Sequence, residues 1–139
     1  ADGRREEFDV MLAATGYEVD LPFLAPHVVP VVGRRVDLYK RIFPPGRPNL
    51  CFIGMFNVSA GANIRMMDTQ CRLMAAVVAG EVVLPSADAM RADVAREKRE
   101  LHERYPDRPR YELELDPVAY RQEVAALEAA APGTGRAWR

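Results

Sequence analysis

Apolar residues follow two textures along this chain. In the first, short runs are apolar on every side. Residues 8–14 hold Phe8, Val10, Met11, Leu12, Ala13 and Ala14 and close at Thr15-Gly16. Period-two alternation is missing, so the run predicts a strand buried on both faces, as in a parallel sheet. Leu50-Cys51-Phe52-Ile53 repeats the texture and stops at Gly54. Between these runs Pro22, Pro26 and Pro30 stand four residues apart and forbid a regular helix over residues 21–30. An extended segment is predicted over residues 36–43, stopped by Pro44-Pro45-Gly46.

The second texture is helical. Ile64, Met67, Leu73, Met74, Val77 and Val78 give an apolar surface to a predicted helix over residues 64–79. Asp68 and Arg72 are spaced for an i,i+4 pair, and Gly80 is placed to end the helix. Leu84-Pro85-Ser86 breaks the chain. Ser86 can cap the next helix, with Asp88 favourably set against the helix dipole. Its dense charges from Arg91 to Arg104 read as a solvated surface. Tyr105-Pro106-Asp107-Arg108-Pro109 ends it. Residues 111–115 alternate as a short half-buried strand, and Asp116-Pro117 starts a last helix over residues 118–130. Residues 131–139 read as a frayed tail. The order is strand, proline-rich connection, strand, loop, helix, helix, strand, helix. This is an α/β pattern with too few parallel strands for a complete doubly wound domain. No internal repeat or clear domain linker is visible.

Composition narrows the function. The chain has 139 residues, 49% hydrophobic and 28% charged, enough for a core. Nineteen basic residues against twenty acidic ones leave a net charge of −1, no excess for gripping a phosphate backbone, so no nucleic-acid partner is expected. No apolar run approaches the roughly 20 residues of a membrane helix. The charged start at residues 1–7 does not read as a signal peptide. Cys51 and Cys71, each within an apolar stretch, are expected to be free buried thiols in a reducing cytosol, which makes the chain cytoplasmic. Because Ala1 is not Met and a core strand follows almost at once, the beginning of the protein is expected to lie elsewhere.

Two places can carry chemistry. Ala14-Thr15-Gly16-Tyr17 ends a buried strand, where a glycine allows close approach of a ligand. After Gly54, a loop with Asn57, Ser59 and Gly61 leads through Asn63 into a helix. A helix start offers free N–H groups and a positive dipole end to an electron-rich oxygen, and Asn57 and Asn63 can hydrogen-bond a planar heterocycle. At each place an ordinary turn is the competing reading. Other chemistry lacks its residues. No G-x-G-x-x-G joins a strand to a helix, and Gly133-Thr134-Gly135 has no strand before it. His27 and His102 stand alone, so no metal site is expected. Ser59 and Ser86 lack a His-carboxylate partnership.

Several segments together resemble the flavin-containing monooxygenases. Residues 9–17, ending Ala14-Thr15-Gly16-Tyr17, are similar to that family's strand end. Leu21-Pro22-Phe23-Leu24, the segment from Leu38-Tyr39-Lys40 through Phe43-Pro44-Pro45, and Leu50-Cys51-Phe52-Ile53-Gly54 follow in the family's order. Gln70-Cys71-Arg72, Gly80, Leu84-Pro85-Ser86 and residues 111–127 continue the series. Gly61 sits one residue later than in the family pattern, and Leu73 replaces a frequent aromatic residue.

The resemblance implies a partial FAD/NAD(P)-binding fold, α/β and doubly wound with two dinucleotide-binding domains. Residues 1–130 would be the C-terminal section of its FAD domain. It implies FAD and NADPH as cofactors and transfer of one oxygen atom, through a flavin hydroperoxide, to a nucleophilic nitrogen or sulfur of a small-molecule substrate. The glycine fingerprints and the active-site Asn of the family lie N-terminal to the matched region. Carried over, Ala14, Thr15, Gly16 and Tyr17 would line the passage near the cofactors, and Asn57, Gly61 and Asn63 would approach the flavin ring. No catalytic residue is assigned. Asp68, Gln70 and Arg72 read as structural. Baeyer–Villiger monooxygenases and N-hydroxylases share similar strand ends. A second reading stands beside the enzyme: a non-catalytic truncated or split module, an interaction subunit that self-associates into a homo-oligomer through its uncovered edges.

Overall fold

The computed structural model describes residues 3, 5–58, 61–106 and 111–130. Its elements are β1 (Val31–Val32), β2 (Arg35–Val36), α1 (Asn63–Val78), α2 (Ala87–Arg104) and α3 (Pro117–Ala129). The three helices match the periodicity to within a residue at the ends that could be predicted. Their boundaries are local chemistry. Ser86 Oγ accepts from the Ala89 N–H at 3.2 Å and opens α2. Asp116 Oδ1 accepts from the N–H groups of Val118 and Ala119, with Pro117 in the first turn of α3. Past the end of α1, Gly80 has φ +74. Its N–H donates to the Val77 carbonyl and that of Glu81 to Ala76, a Schellman closure that an L-residue with a Cβ would strain.

The strand expectations are corrected. Residues 8–14 form no strand: they run as irregular chain, with Phe8 72% and Leu12 89% exposed. A run apolar on both faces becomes a strand only when neighbours pair with its edges and cover its faces. Among the described residues no strand pairs with it. Leu50-Cys51-Phe52-Ile53 is likewise irregular, tied by the Phe52 N–H donating to the Ile42 carbonyl at 2.9 Å. The extended segment over residues 36–43 is strand only at its start, where β2 pairs antiparallel with β1 (Val31 opposite Val36). It then folds back so that Tyr39 bridges Phe43 around Lys40 and Arg41. Residues 111–115 contribute one parallel bridge, Asn57 to Glu114. The described residues therefore form an α-rich piece with two short strands. Cys51 and Cys71 are free but exposed, not buried. The tail expected at residues 131–139 lies outside the described residues.

Two clusters make the core. The larger joins Met66 and Leu73 of α1, Met90 and Val94 of α2, and Tyr120 and Val124 of α3 around Tyr39, Ile42 and Phe43. The smaller gathers Leu50 and Phe52 on Val29, Val36 and Leu38. The segment 50–53 thus lies between the clusters, with Ile53 turned to the larger one.

Candidate functional site

Backbone pairing fixes the chain at Asn57. Asn57 donates its N–H to the Leu113 carbonyl at 2.7 Å and accepts from the Leu115 N–H at 2.8 Å. Its side-chain Nδ2 donates to Glu114 Oε2 at 2.9 Å. Val58 is buried. Gly61 follows with φ +73, and no atom lies within 4 Å of where a Cβ would stand. The backbone there is open to whatever approaches. Asn63 then begins α1 and is exposed.

This helix start differs from the other two. Ala62 occupies the capping position, so no side chain there accepts from the first turn, and the first turn holds no acidic residue. Ser86 and Asp116 serve that role in α2 and α3. At α1 the capping position therefore offers the N-terminal N–H groups and the positive dipole end no side-chain acceptor.

The remaining predicted residues lie apart from this turn. Ala14, Thr15, Gly16 and Tyr17 are exposed, Tyr17 at 96%. No hydrogen bond among the described residues links them to Asn57, Gly61 or Asn63. Asn57, Gly61 and Asn63 stand close along the chain at the approach to α1, where the Gly61 N–H donates to the Val58 carbonyl at 3.2 Å, while residues 14–17 are exposed.

Sequence reasoning missed a buried polar junction behind that turn. Lys40 and Arg41 both have positive φ, 48° and 57°. Arg41 is 1% exposed. Its Nε donates to Glu97 Oε1 at 2.7 Å, and its two terminal nitrogens donate to the Glu112 and Glu114 carbonyls, each at 3.3 Å. Lys40 Nζ reaches Asp93 at 3.0 Å and Glu123 at 2.7 Å. Burial works against the Lys40 charge, but hydrogen bonds to Glu123 and Asp93 outweigh it and raise its pKa. Tyr120 donates its hydroxyl to the Lys40 carbonyl at 2.7 Å. Burial raises the Tyr120 phenol well above its usual range. Gln70, fully buried, donates to the Arg41 carbonyl at 3.3 Å and accepts from the Gly54 N–H at 2.8 Å. Glu114 thus connects the junction to Asn57, and Gln70 connects it to Gly54. The inward aim of Asp93 and Glu97 corrects the reading of α2 as only a solvated face. A cleft of about 100 Å³ between α2 and α3, lined among others by Lys40, Arg96, Arg104 and Tyr120, opens over this junction. The available signal was the Lys40-Arg41 pair amid apolar residues, which needs carboxylates from elsewhere in the chain.

Among the described residues no three His, Cys, Asp or Glu side chains are grouped to hold a metal ion, and no helix is long and apolar enough to cross a membrane. The fit to a flavin nucleotide can be judged from the donors present. The α1 start and the open Gly61 backbone suit an electron-rich ring oxygen. No glycine-rich strand-to-helix loop is present for a pyrophosphate. The Asn57 amide is already engaged by Glu114. The residues fit one edge of such a group, not its phosphates.

The start of α1 thus lacks a side-chain cap at Ala62 and stands beside an open glycine. The Flavin-binding monooxygenase-like family model matches residues 1–135. The chain belongs to that family. It is 36% identical over 134 residues to Flavin-containing monooxygenase 5 of Cavia porcellus and 35% identical to that of Homo sapiens. Each match covers 94% of this chain and 25% of the relative, so the chain spans about a quarter of these proteins, in their C-terminal part. The structure of S-allyl-L-cysteine S-oxygenase from Allium sativum superposes with a TM-score of 0.67 at 27% identity, covering 86% of this chain and 28% of that one. The fold is accordingly a partial flavoprotein fold.

Proposed function

We propose that this chain is the C-terminal section of the FAD domain of an FAD- and NADPH-dependent monooxygenase that oxygenates a nucleophilic nitrogen or sulfur of a small molecule. Membership of the family over residues 1–135, in a chain whose α1 start is left uncapped, carries the reading. The complete protein would be a doubly wound fold with two dinucleotide-binding domains. Bound FAD, reduced by NADPH, supplies the oxygen-transfer chemistry. This chain's part is positional. The first-turn N–H groups of α1 hold an oxygen of the flavin ring, Gly61 keeps the approach clear, and Asn63 offers its amide. Asn57 acts by pinning the turn to Glu114. Residues Ala14, Thr15, Gly16 and Tyr17 line the passage toward the cofactors once their strand is paired.

The test is charge at the helix start. Asn63→Asp in the gene product from the natural reading frame places a carboxylate where the flavin oxygen would sit. A carboxylate in a first helical turn favours the helix, so lost folding would not explain a lost flavin. Flavin retention is expected to fall about three- to tenfold with the melting temperature unchanged or raised. Unchanged retention would remove the α1 start from the site. The 139-residue chain alone is expected to purify without flavin and without NADPH oxidation, because it lacks a pyrophosphate loop. A stoichiometric, tightly held flavin would favour a self-sufficient binding module. The second reading, a non-catalytic split module, rests on that same missing loop.

A further inference from the structure

Gln70 is fully buried on the face of α1 that carries Met66 and Leu73 into the larger core cluster. An amide on such a face is costly unless its atoms are bonded. Both ends are. Its Oε1 accepts from the Gly54 N–H at 2.8 Å, and its Nε2 donates to the Arg41 carbonyl at 3.3 Å. The side chain thus ties α1 to two segments that lie 16 and 29 residues before it.

The first bond falls where the chain turns toward the start of α1. Gly54 has φ +85, and a Cβ there would stand 3.4 Å from Met67 Cε, so its backbone passes close against the helix. Three residues on, Asn57 is paired with Leu113 and Leu115. The approach to α1 is therefore held at two points, Gly54 by α1 itself and Asn57 by the segment after α2. The second bond reaches the left-handed turn of the charged junction, where Tyr120 donates to the neighbouring carbonyl, that of Lys40, at 2.7 Å. One side chain serves both places, and its two ends have different tasks. The donor end steadies the junction. The acceptor end holds the backbone that leads to the helix start.

We propose that Gln70 is a positioning residue for the flavin edge: by holding Gly54 against α1, its Oε1 sets where residues 54–58 run beside the helix start. The inference rests on the reading above that this part of the chain meets a flavin. It gives Gln70 a task beyond the structural one expected from the sequence.

Variants of the gene product from the natural reading frame separate position from stability. Gln70→Met keeps the length of the side chain and removes both bonds. Gln70→Glu keeps an oxygen for the Gly54 N–H in either protonation state. Val124→Ala removes apolar volume from the same core on α3 and leaves the amide and its partners in place. Flavin affinity is measured well below each melting midpoint. It is expected to weaken about tenfold in Gln70→Met and to stay within about threefold of the parent in Gln70→Glu. Val124→Ala should melt lower with its flavin affinity unchanged. In flavin-free protein, the amides of residues 52–57 should exchange at least about tenfold faster in Gln70→Met alone. Gln70→Asn, one methylene shorter, withdraws the same oxygen and carries the test if Gln70→Met does not fold. Equal weakening in Gln70→Met and Gln70→Glu, or weakening in Val124→Ala in step with its melting temperature, would leave Gln70 only structural and overturn the proposal. Unchanged affinity in Gln70→Met overturns it too, whatever the exchange rates. A protein that binds no flavin yet shows this exchange pattern would sink the functional reading and keep Gln70 as the anchor of Gly54.

Discussion

Arg41 carries a full charge into a position only 1% exposed, and the chain bends into the left-handed region to put it there. Its partners come from α2 and from the carbonyls of residues 112 and 114. Removing the guanidinium leaves Glu97 and two carbonyls short of donors. Arg41→Ala is expected to lower stability by about 3–5 kcal/mol in chemical denaturation. Arg41→Lys should recover only part of it, because one ammonium cannot span three acceptors fixed by a planar fork. The same network sets a pH dependence. Burial disfavours the Asp93 carboxylate, but hydrogen bonds from Arg96 and Lys40 prevail and hold its pKa below the usual 3.8. Unfolding returns it to that ordinary value. Its stabilisation is therefore complete above the unfolded pKa and is lost as pH falls through the depressed native one. Denaturation midpoints measured from neutral to acid should drop most steeply below about pH 4, and Asp93→Asn should flatten that part of the curve.

The helices show which element-level signals are self-contained. Asp116 caps α3 through two backbone N–H groups, and those bonds, from Ala119 first and Val118 second, hold its carboxyl below the usual range. Asp116→Ala is expected to cost about 1 kcal/mol, read as a lower melting temperature and faster amide exchange in the first turn of α3. Asp116→Asn should keep most of the cap. These ends were legible because cap, proline and glycine act within a few residues. The strands were not. Residues 8–14 and 50–53 look alike in sequence, yet the second is folded between two clusters and the first is left in solvent. A strand takes its hydrogen bonds from another segment, and sequence texture does not say whether that segment is present. The junction at Lys40 and Arg41 escaped for the same reason: its carboxylates lie 53 to 83 residues away.

At the scale of the molecule, the described residues close a core among three helices and leave large apolar side chains outside. Phe8, Met11, Leu12, Phe23, Ile64 and Val78 are each at least 72% exposed. That much uncovered apolar surface favours association. Sedimentation of the 139-residue chain is expected to depend on concentration and to shift toward larger species as the chain is concentrated. A single monomeric species at all concentrations would show that these residues find cover within the chain. The candidate site was half legible at this scale. Asn57, Gly61 and Asn63 were placed together because they are neighbours along the chain, whereas their relation to residues 14–17 depends on a strand that has no partner among the described residues.

The sequence alone determined the three helices and their ends, the absence of a pyrophosphate loop, and the family resemblance. These depend on residue order over a few turns, where backbone geometry and side-chain capping act directly. The tertiary structure decided the rest: which charges of α2 turn inward to Lys40 and Arg41, that Asn57 spends its amide on Glu114, and that Ile64 and Val78 of α1 stay exposed. Those outcomes belong to contacts between distant segments, and the energy of such a contact exists only once the fold has brought both partners to the same place.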